Sequence, residues 1–276
     1  MKKGKILSIA VSALLVLGLA GCGQKQEAAK QNDTSKETKK VIKVGASPTP
    51  HAEILKEVVK PLLVKEGYDL QIVEFTDYVI PNTSLDSGEL DANFFQHIPY
   101  LTSFNKEKHT DLDYTVKVHL EPMGVYSKKV KKLDELKDGA TIAIPNDPSN
   151  GARALKVLQA SAVIKLKDGD LVSKLDITEN KKNIKITELE AAQLPRVIGD
   201  VDAAVINTNY AIPAGLNPTK DAIAIESKDS PYANVLAVRT KDKDQPYIQA
   251  LSKALTSPEV KKYIEDKYKG SIVPAF

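Results

Sequence analysis

From Val41 onward the chain alternates short β-branched apolar runs with stretches in which apolar residues recur every three to four positions. That alternation is the pattern of parallel α/β construction, in which helices cover the faces of a sheet. The run from Val41 to Ala46 predicts a first strand. Thr49-Pro50 then supplies a cap and a first-turn proline, and Ile54, Leu55, Val58, Val59, Leu62 and Leu63 follow with helical period. Pro61 is expected to kink that helix and Gly67 to end it. Strands over 70–75 and 90–95, with a turn at Pro81-Asn82 and a short helix between them, complete a β-α-β-α-β unit.

A long strand-like stretch, 114–127, precedes a second unit. Its strands are expected over 141–145, 184–189 and 201–206, with helices over 150–159 and 190–197. A further strand over 232–239 is followed by two amphipathic helices, 246–255 and 258–267. This order predicts an α/β chain of two lobes. Residues 41–125 and 232–276 form lobe 1, residues 126–231 are inserted as lobe 2, and the chain crosses between them twice. The chain has no repeat with a period of 20 to 50 residues, which excludes a solenoid.

The first 40 residues follow a different pattern. Lys2, Lys3 and Lys5 precede an apolar run from Ile6 to Leu17, and Leu19-Ala20-Gly21 stands directly before Cys22, the only cysteine. A charged start, a short apolar core and small residues are the export pattern, and the run is too short to span a bilayer. Residues 1–21 are therefore expected to be a lipoprotein signal peptide and Cys22 the lipidated first residue of the mature protein. Residues 23–40 carry no aromatic or branched aliphatic side chain, so the segment 22–40 reads as lipidated cysteine and flexible stalk. The charge balance changes accordingly. The whole chain has 39 Lys and Arg against 36 Asp and Glu, and the excess of three is the three leader lysines. A mature chain without basic excess lacks the footprint of a nucleic-acid binder. With one cysteine there is no internal disulfide, and the fold rests on its apolar core.

Ligands of open α/β sheets bind beyond the carboxyl ends of the strands. Asp77-Tyr78 follows the second expected strand, and the third runs into Phe94-Phe95-Gln96-His97 with Tyr100 one helical turn on. In the second unit, strand 141–145 leads into Asn146 to Asn150 and Arg153, and strand 201–206 into Asn207-Thr208-Asn209. One lobe thus offers aromatic faces and the other amides and a guanidinium, a pairing suited to a zwitterion with an apolar tail. Arg153, early in its helix, is expected to take a carboxylate bidentately, assisted by the free N–H groups of the helix start. Asn207 and Asn209 carry both donors and acceptors for the two ends of an amino acid, or are simple turn residues. Phe94 and Phe95 point to opposite faces of a strand, so at least one belongs to the core. Tyr78, the pocket-facing Phe, His97 and Tyr100 could clasp a thioether, because sulfur meets aromatic rings favourably. The histidines His51, His97, His109 and His119 lack the close spacing of a zinc site, and no nucleophile elbow, phosphate loop or other catalytic motif occurs. Neither an enzyme nor a cofactor is expected.

Five ordered segments resemble the NlpA lipoprotein family, the methionine-binding lipoproteins of bacterial ABC importers. They are Phe75 to Asn82, Asp91 to His97, Ile144 to Asp147 with Asn150 and Arg153, Glu188 to Arg196, and Ala204 to Ala211. The resemblance implies a type II periplasmic-binding-protein fold with a ligand cleft that closes between the lobes. It further implies delivery of methionine to a permease driven by a cytoplasmic ATPase, from a protein held by its lipid on the extracytoplasmic side of the cell membrane. Carried over by position, Tyr78, Phe95, His97 and Tyr100 resemble the side-chain pocket, and Asn150, Arg153, Asn207 and Asn209 the amino-acid clamp. A methionine-containing dipeptide, another apolar amino acid, or an adhesive surface role remain the alternatives.

Overall fold

The computed structural model describes residues 40–276, so the expected leader, Cys22 and most of the stalk lie outside the described residues. Thirteen strands occur there: β1 Val41–Ala46, β2 Asp69–Glu74, β3 Ala92–His97, β4 Leu112–Leu120, β5 Gly124–Tyr126, β6 Thr141–Pro145, β7 Lys165–Leu166, β8 Ile177–Glu179, β9 Lys185–Leu189, β10 Ala203–Ile206, β11 Ala224–Ile225, β12 Ala233–Arg239 and β13 Val273–Pro274. The α-helices are α1 Lys60–Lys65, α2 Ile80–Asp86, α3 Ile98–Lys108, α4 Pro148–Ala160, α5 Leu194–Val197, α6 Thr208–Ala211, α7 Pro246–Leu255 and α8 Pro258–Tyr268. None is long and apolar enough to cross a membrane.

Two larger sheets organise these elements. One has the order β13-β4-β12-β3-β1-β2 and the other β11-β5-β10-β6-β9. Within the first, β1 runs parallel to β2 and β3, whereas β12 lies antiparallel between β3 and β4. In the second, β6 is parallel to β9 and β10, and β5 is antiparallel to β10. The expected strand over 114–127 is two strands of different sheets, and the chain passes between the sheets across residues 121–123. Glu121-Pro122 stands at that break, where a proline cannot donate to a ladder. The division expected between residues 125 and 126 therefore falls inside β5. The return passage spans residues 226–232.

Strand alternation builds a core on each face of each sheet. Leu236 and Val238 of β12 join Ile42, Val44 and Phe94 beneath Ile54, Leu55, Ile248, Leu251 and Ile264, which seats the C-terminal helices on the opening unit. The intervening Val235 and Ala237 face Leu85, Leu90 and Leu101. In the second sheet Ile142 and Ile144 of β6 pack on Leu155 and Leu158 of α4, whereas Ala143 faces Leu194 and Ile198. Other local expectations shift. The helix after β1 begins with wide turns over Pro48–Ala52 and Leu55–Val59 before α1, and Thr49 is extended rather than helical. Such turns bond i to i+5, as Lys60 N–H does to the Leu55 carbonyl, and the wider pitch makes room for Pro61, which brings no N–H. Pro81-Asn82 is the first turn of α2, not a turn ahead of it, and the third strand starts two residues later than expected.

Candidate functional site

The carboxyl ends of β3 and β10, the start of α4, the first passage between the sheets and the start of β12 meet at one cavity. Tyr78, Phe95, His97, Tyr100, Asn150, Arg153, Asn207 and Asn209 all line it. Phe94, the neighbour of Phe95, points the other way into the core, with its ring edge-on to His51. Four further residues line it that the sequence pattern does not mark as site residues: Gln96, Glu121, Thr208 and Asn234. Asn234 stands at the opening of an antiparallel strand rather than at a strand end, and Glu121 lies in a stretch whose pattern reads as one continuous strand, with Pro122 the one signal that it stops.

The aromatic side is a set of tilted and edge-on rings. Tyr78 lies 5.9 Å from Phe95, 5.7 Å from Tyr100 and 5.1 Å from Tyr210, centroid to centroid. The Tyr100 hydroxyl donates to the Tyr78 carbonyl at 2.7 Å, which fixes the loop before α2. His97 caps α3: its Nδ1 accepts from the Tyr100 N–H at 3.1 Å, so the proton sits on Nε2, which donates to Asn150 Oδ1 at 3.1 Å. Burial, with Arg153 nearby, holds the His97 pKa down at about 3, and the ring is neutral. Burial also pushes the Tyr78 and Tyr100 hydroxyls above the usual tyrosine range.

The polar side differs from the expected geometry. Asp147 caps α4 by accepting from the Asn150 N–H at 2.9 Å, so this helix start is already satisfied and Arg153 stands more than a turn inside it. Gly151 lets the helix approach β6 closely, since a Cβ there would lie 3.0 Å from the Pro145 carbonyl. Asn150 is a hub: its amide N–H₂ donates to the Asp147 carboxylate, and its Oδ1 accepts from His97 and, at 2.7 Å, from Asn207 Nδ2. Arg153 does not present an open fork. Its Nε and Nη2 donate to the two carboxylate oxygens of Glu226 at 2.9 and 2.5 Å, and Nη2 also donates to the Glu121 carbonyl at 2.7 Å. Its guanidinium carbon lies 4.3 Å from the centroid of the Tyr232 ring.

Beneath the cavity lies a buried network that sequence spacing does not reveal. His119 Nε2 donates to Glu121 Oε1 at 2.8 Å; His51 Nε2 donates to Asn234 Oδ1 at 3.1 Å and lies 3.2 Å from the same Glu121 oxygen, and His51 Nδ1 accepts from the Ser47 hydroxyl at 2.6 Å. One ligand atom each of His51, His119 and Glu121 lies within 4.8 Å of the others, a spacing that a cation could share, although the hydrogen bonds of His119 to Glu121 and of His51 to Asn234 already use both Nε2 atoms. Desolvation lowers the pKa of His51 to about 4 and of His119 to about 3, and raises that of Glu121.

Direct bonds join the two sheets across the cavity. Tyr78 donates to Asn209 Oδ1 at 2.6 Å, the Tyr210 hydroxyl to the Thr76 carbonyl at 2.9 Å, and His97 reaches Asn150. Four buried side-chain polar atoms of the described residues have no partner: His119 Nδ1 and Tyr126 Oη, on residues outside the cavity lining, and Asn207 Oδ1 and Asn209 Nδ2 at the cavity. Of the last two, one is an acceptor and the other a donor, and both residues line the cavity.

Comparison with known proteins follows the same lines. The family model for the NlpA lipoprotein matches residues 42–276. The D-methionine-binding lipoprotein MetQ of Salmonella typhimurium is 44% identical over 269 residues, which is 96% of each chain. Outer membrane lipoprotein 2 of Mannheimia haemolytica is 42% identical over 271 residues, 98% of each. Among solved structures, a nutrient-binding protein from Burkholderia cenocepacia bound to methionine superimposes with a TM-score of 0.83 at 55% identity, over 85% of this chain and all of that one. An ABC transporter periplasmic substrate-binding protein from Coxiella burnetii gives 0.82 at 45% identity, over 85% and 100%.

Proposed function

Because the chain belongs to the NlpA lipoprotein family, we propose that it is the substrate-binding component of an ABC importer and captures methionine in the cavity between its two sheets. The observation that carries this reading is the pair of buried, unpartnered amide atoms on Asn207 and Asn209. A buried donor or acceptor left unpaired costs about 1 to 3 kcal/mol, so a ligand that pairs both recovers that cost on binding. An α-amino acid does so. Asn207 Oδ1 and the Glu121 carboxyl take the ammonium, and Asn209 Nδ2 with the Nη1 of Arg153 takes the carboxylate. Tyr78, Phe95, His97 and Tyr100 enclose the side chain, where an unbranched thioether keeps its sulfur at the ring edges. A neutral His97 suits that role, since a charged imidazole there would need a partner. Asn150 acts one step back, by orienting His97 and Asn207.

On this reading Cys22 carries the lipid that tethers the protein on the extracytoplasmic side, and the closed form delivers its cargo to a permease coupled to a cytoplasmic ATPase.

Competition calorimetry with methionine, leucine, glutamate and glycyl-methionine tests the assignment. Methionine is expected to bind tighter than leucine by about 1 to 3 kcal/mol, the scale of one misplaced methylene in a pocket, and tighter still than glutamate, whose second carboxylate would be buried unpaired. Equal affinity for methionine and leucine would rule out thioether recognition. Preference for glycyl-methionine would move the cargo to a dipeptide.

A further inference from the structure

Arg153 is held from three directions, and both passages between the sheets take part. Glu226, in the return passage, accepts from Nε and Nη2; Glu121, in the first passage, accepts from Nη2 through its carbonyl; and the Tyr232 ring covers a face of the guanidinium. The same Glu226 carboxylate accepts the Met123 N–H at 3.2 Å and so joins the first passage to the second. The Arg153 and Glu226 side chains are 3% and 10% exposed. In that setting an ion pair is short of water, and removing one partner leaves the other buried and unpaired.

We infer that Glu226 is a positioning residue for carboxylate recognition: it occupies one edge of the Arg153 guanidinium and thereby presents Nη1 to the cavity in a fixed direction. This inference rests on the reading of Arg153 as the carboxylate partner. Three of the five N–H donors of Arg153 are used by Glu226 and the Glu121 carbonyl, and the two on Nη1 remain for the ligand. Without Glu226 the guanidinium has an unsatisfied edge, and the side chain turns to satisfy it at the expense of the ligand-facing direction. Because Glu226 also bonds Met123, the orientation of Arg153 is linked to the geometry of both passages, the segments about which the two sheets would move.

The test is a cycle of calorimetric titrations on the full-length protein in detergent, with methionine as the probe, for the parent, Glu226→Ala, Arg153→Lys and the double variant. Lysine keeps the charge but has no planar fork for Glu226 to orient. Glu226→Ala is expected to weaken methionine at least tenfold in the parent and less than threefold in the Arg153→Lys background. An equal loss in both backgrounds would show a merely structural role and overturn the inference. So would unchanged or tighter binding in Glu226→Ala, which would mean that Glu226 competes with the ligand for the guanidinium. Melting of each variant without ligand checks folding, and Glu226→Gln, which keeps the shape, carries the same test if the alanine variant does not fold. If Arg153→Lys binds methionine as the parent does, the assignment of Arg153 itself fails, a result distinct from the failure of Glu226.

Discussion

A single hydroxyl shows how much one atom decides at this site. Tyr78 stands on the first sheet's side and gives its proton to Asn209 on the second, at 2.6 Å. That bond orients the Asn209 amide: with Oδ1 engaged, Nδ2 is the atom left to face a ligand. Tyr78→Phe keeps the ring and removes the donor, so Asn209 Oδ1 becomes a buried acceptor without a partner. The expected cost in methionine binding is about 1 to 3 kcal/mol, measured by calorimetry, with the aromatic rings otherwise in place. Affinity unchanged in that variant would mean that the Asn209 amide is oriented by something else. The residue types at this site were legible from the sequence because they follow strands. Their states were not: the fork of Arg153 is taken by Glu226, seventy-three positions away, and no local pattern announces a partner at that distance.

At the scale of the element, α4 joins the site to the second core. Leu155 and Leu158 anchor it against β6, and Asp147 closes its first turn. The Asp147 carboxylate accepts from the Asn150 N–H, from the Asn150 side-chain amide and from the Ser149 hydroxyl. Asp147→Ala is expected to lower stability by about 1 kcal/mol, the ordinary worth of a cap, as read by chemical denaturation. It should also weaken methionine binding, because a released Asn150 no longer holds His97 and Asn207. A Ser replacement restores the cap without the contact to the Asn150 amide, so stability should recover more than affinity. Helix α4 is expected from its apolar period over 150–159; it ends within a residue of that, at Ala160, and its start lies earlier, at Pro148. The reason is local. Asp147-Pro148 is a cap followed by a first-turn proline, and this outweighs the turn propensity of Ser149-Asn150.

For the whole molecule, acid sensitivity follows from three buried imidazoles. His51, His97 and His119 have folded pKa values depressed to about 4, 3 and 3, whereas an unfolded histidine titrates near 6.5. Below that value the unfolded chain binds the protons first. Each histidine thus contributes stability that is fully present above about pH 6.5 and is lost as the pH falls toward the folded value, by up to about 1.4 kcal/mol per pH unit. Glu121 and Asp147 act in the opposite sense, since their raised pKa lets the folded state take a proton first. A variant separates the two effects. In His119→Gln the amide can still donate to Glu121 but does not titrate, so the acid loss of stability between pH 6.5 and 5, followed by circular dichroism in urea, should be shallower by up to about 1.4 kcal/mol per pH unit. An unchanged slope would show that His119 is already charged in the folded protein.

The apolar and polar pattern was enough to predict an α/β chain of two lobes, the C-terminal helices packed on the opening unit, and aromatic and amide residues at the strand ends. Those features depend on local period, capping and the direction of strands, all of which act over fewer than twenty residues. Pattern cannot report which distant groups share a partner. The gathering of His51, His119 and Glu121 from separate segments, the capture of Arg153 by Glu226 and the choice of which amide atoms stay unpaired were decided by the tertiary structure. Each depends on burial, where a charge or an amide must find whichever partner the packed chain brings within about 3 Å.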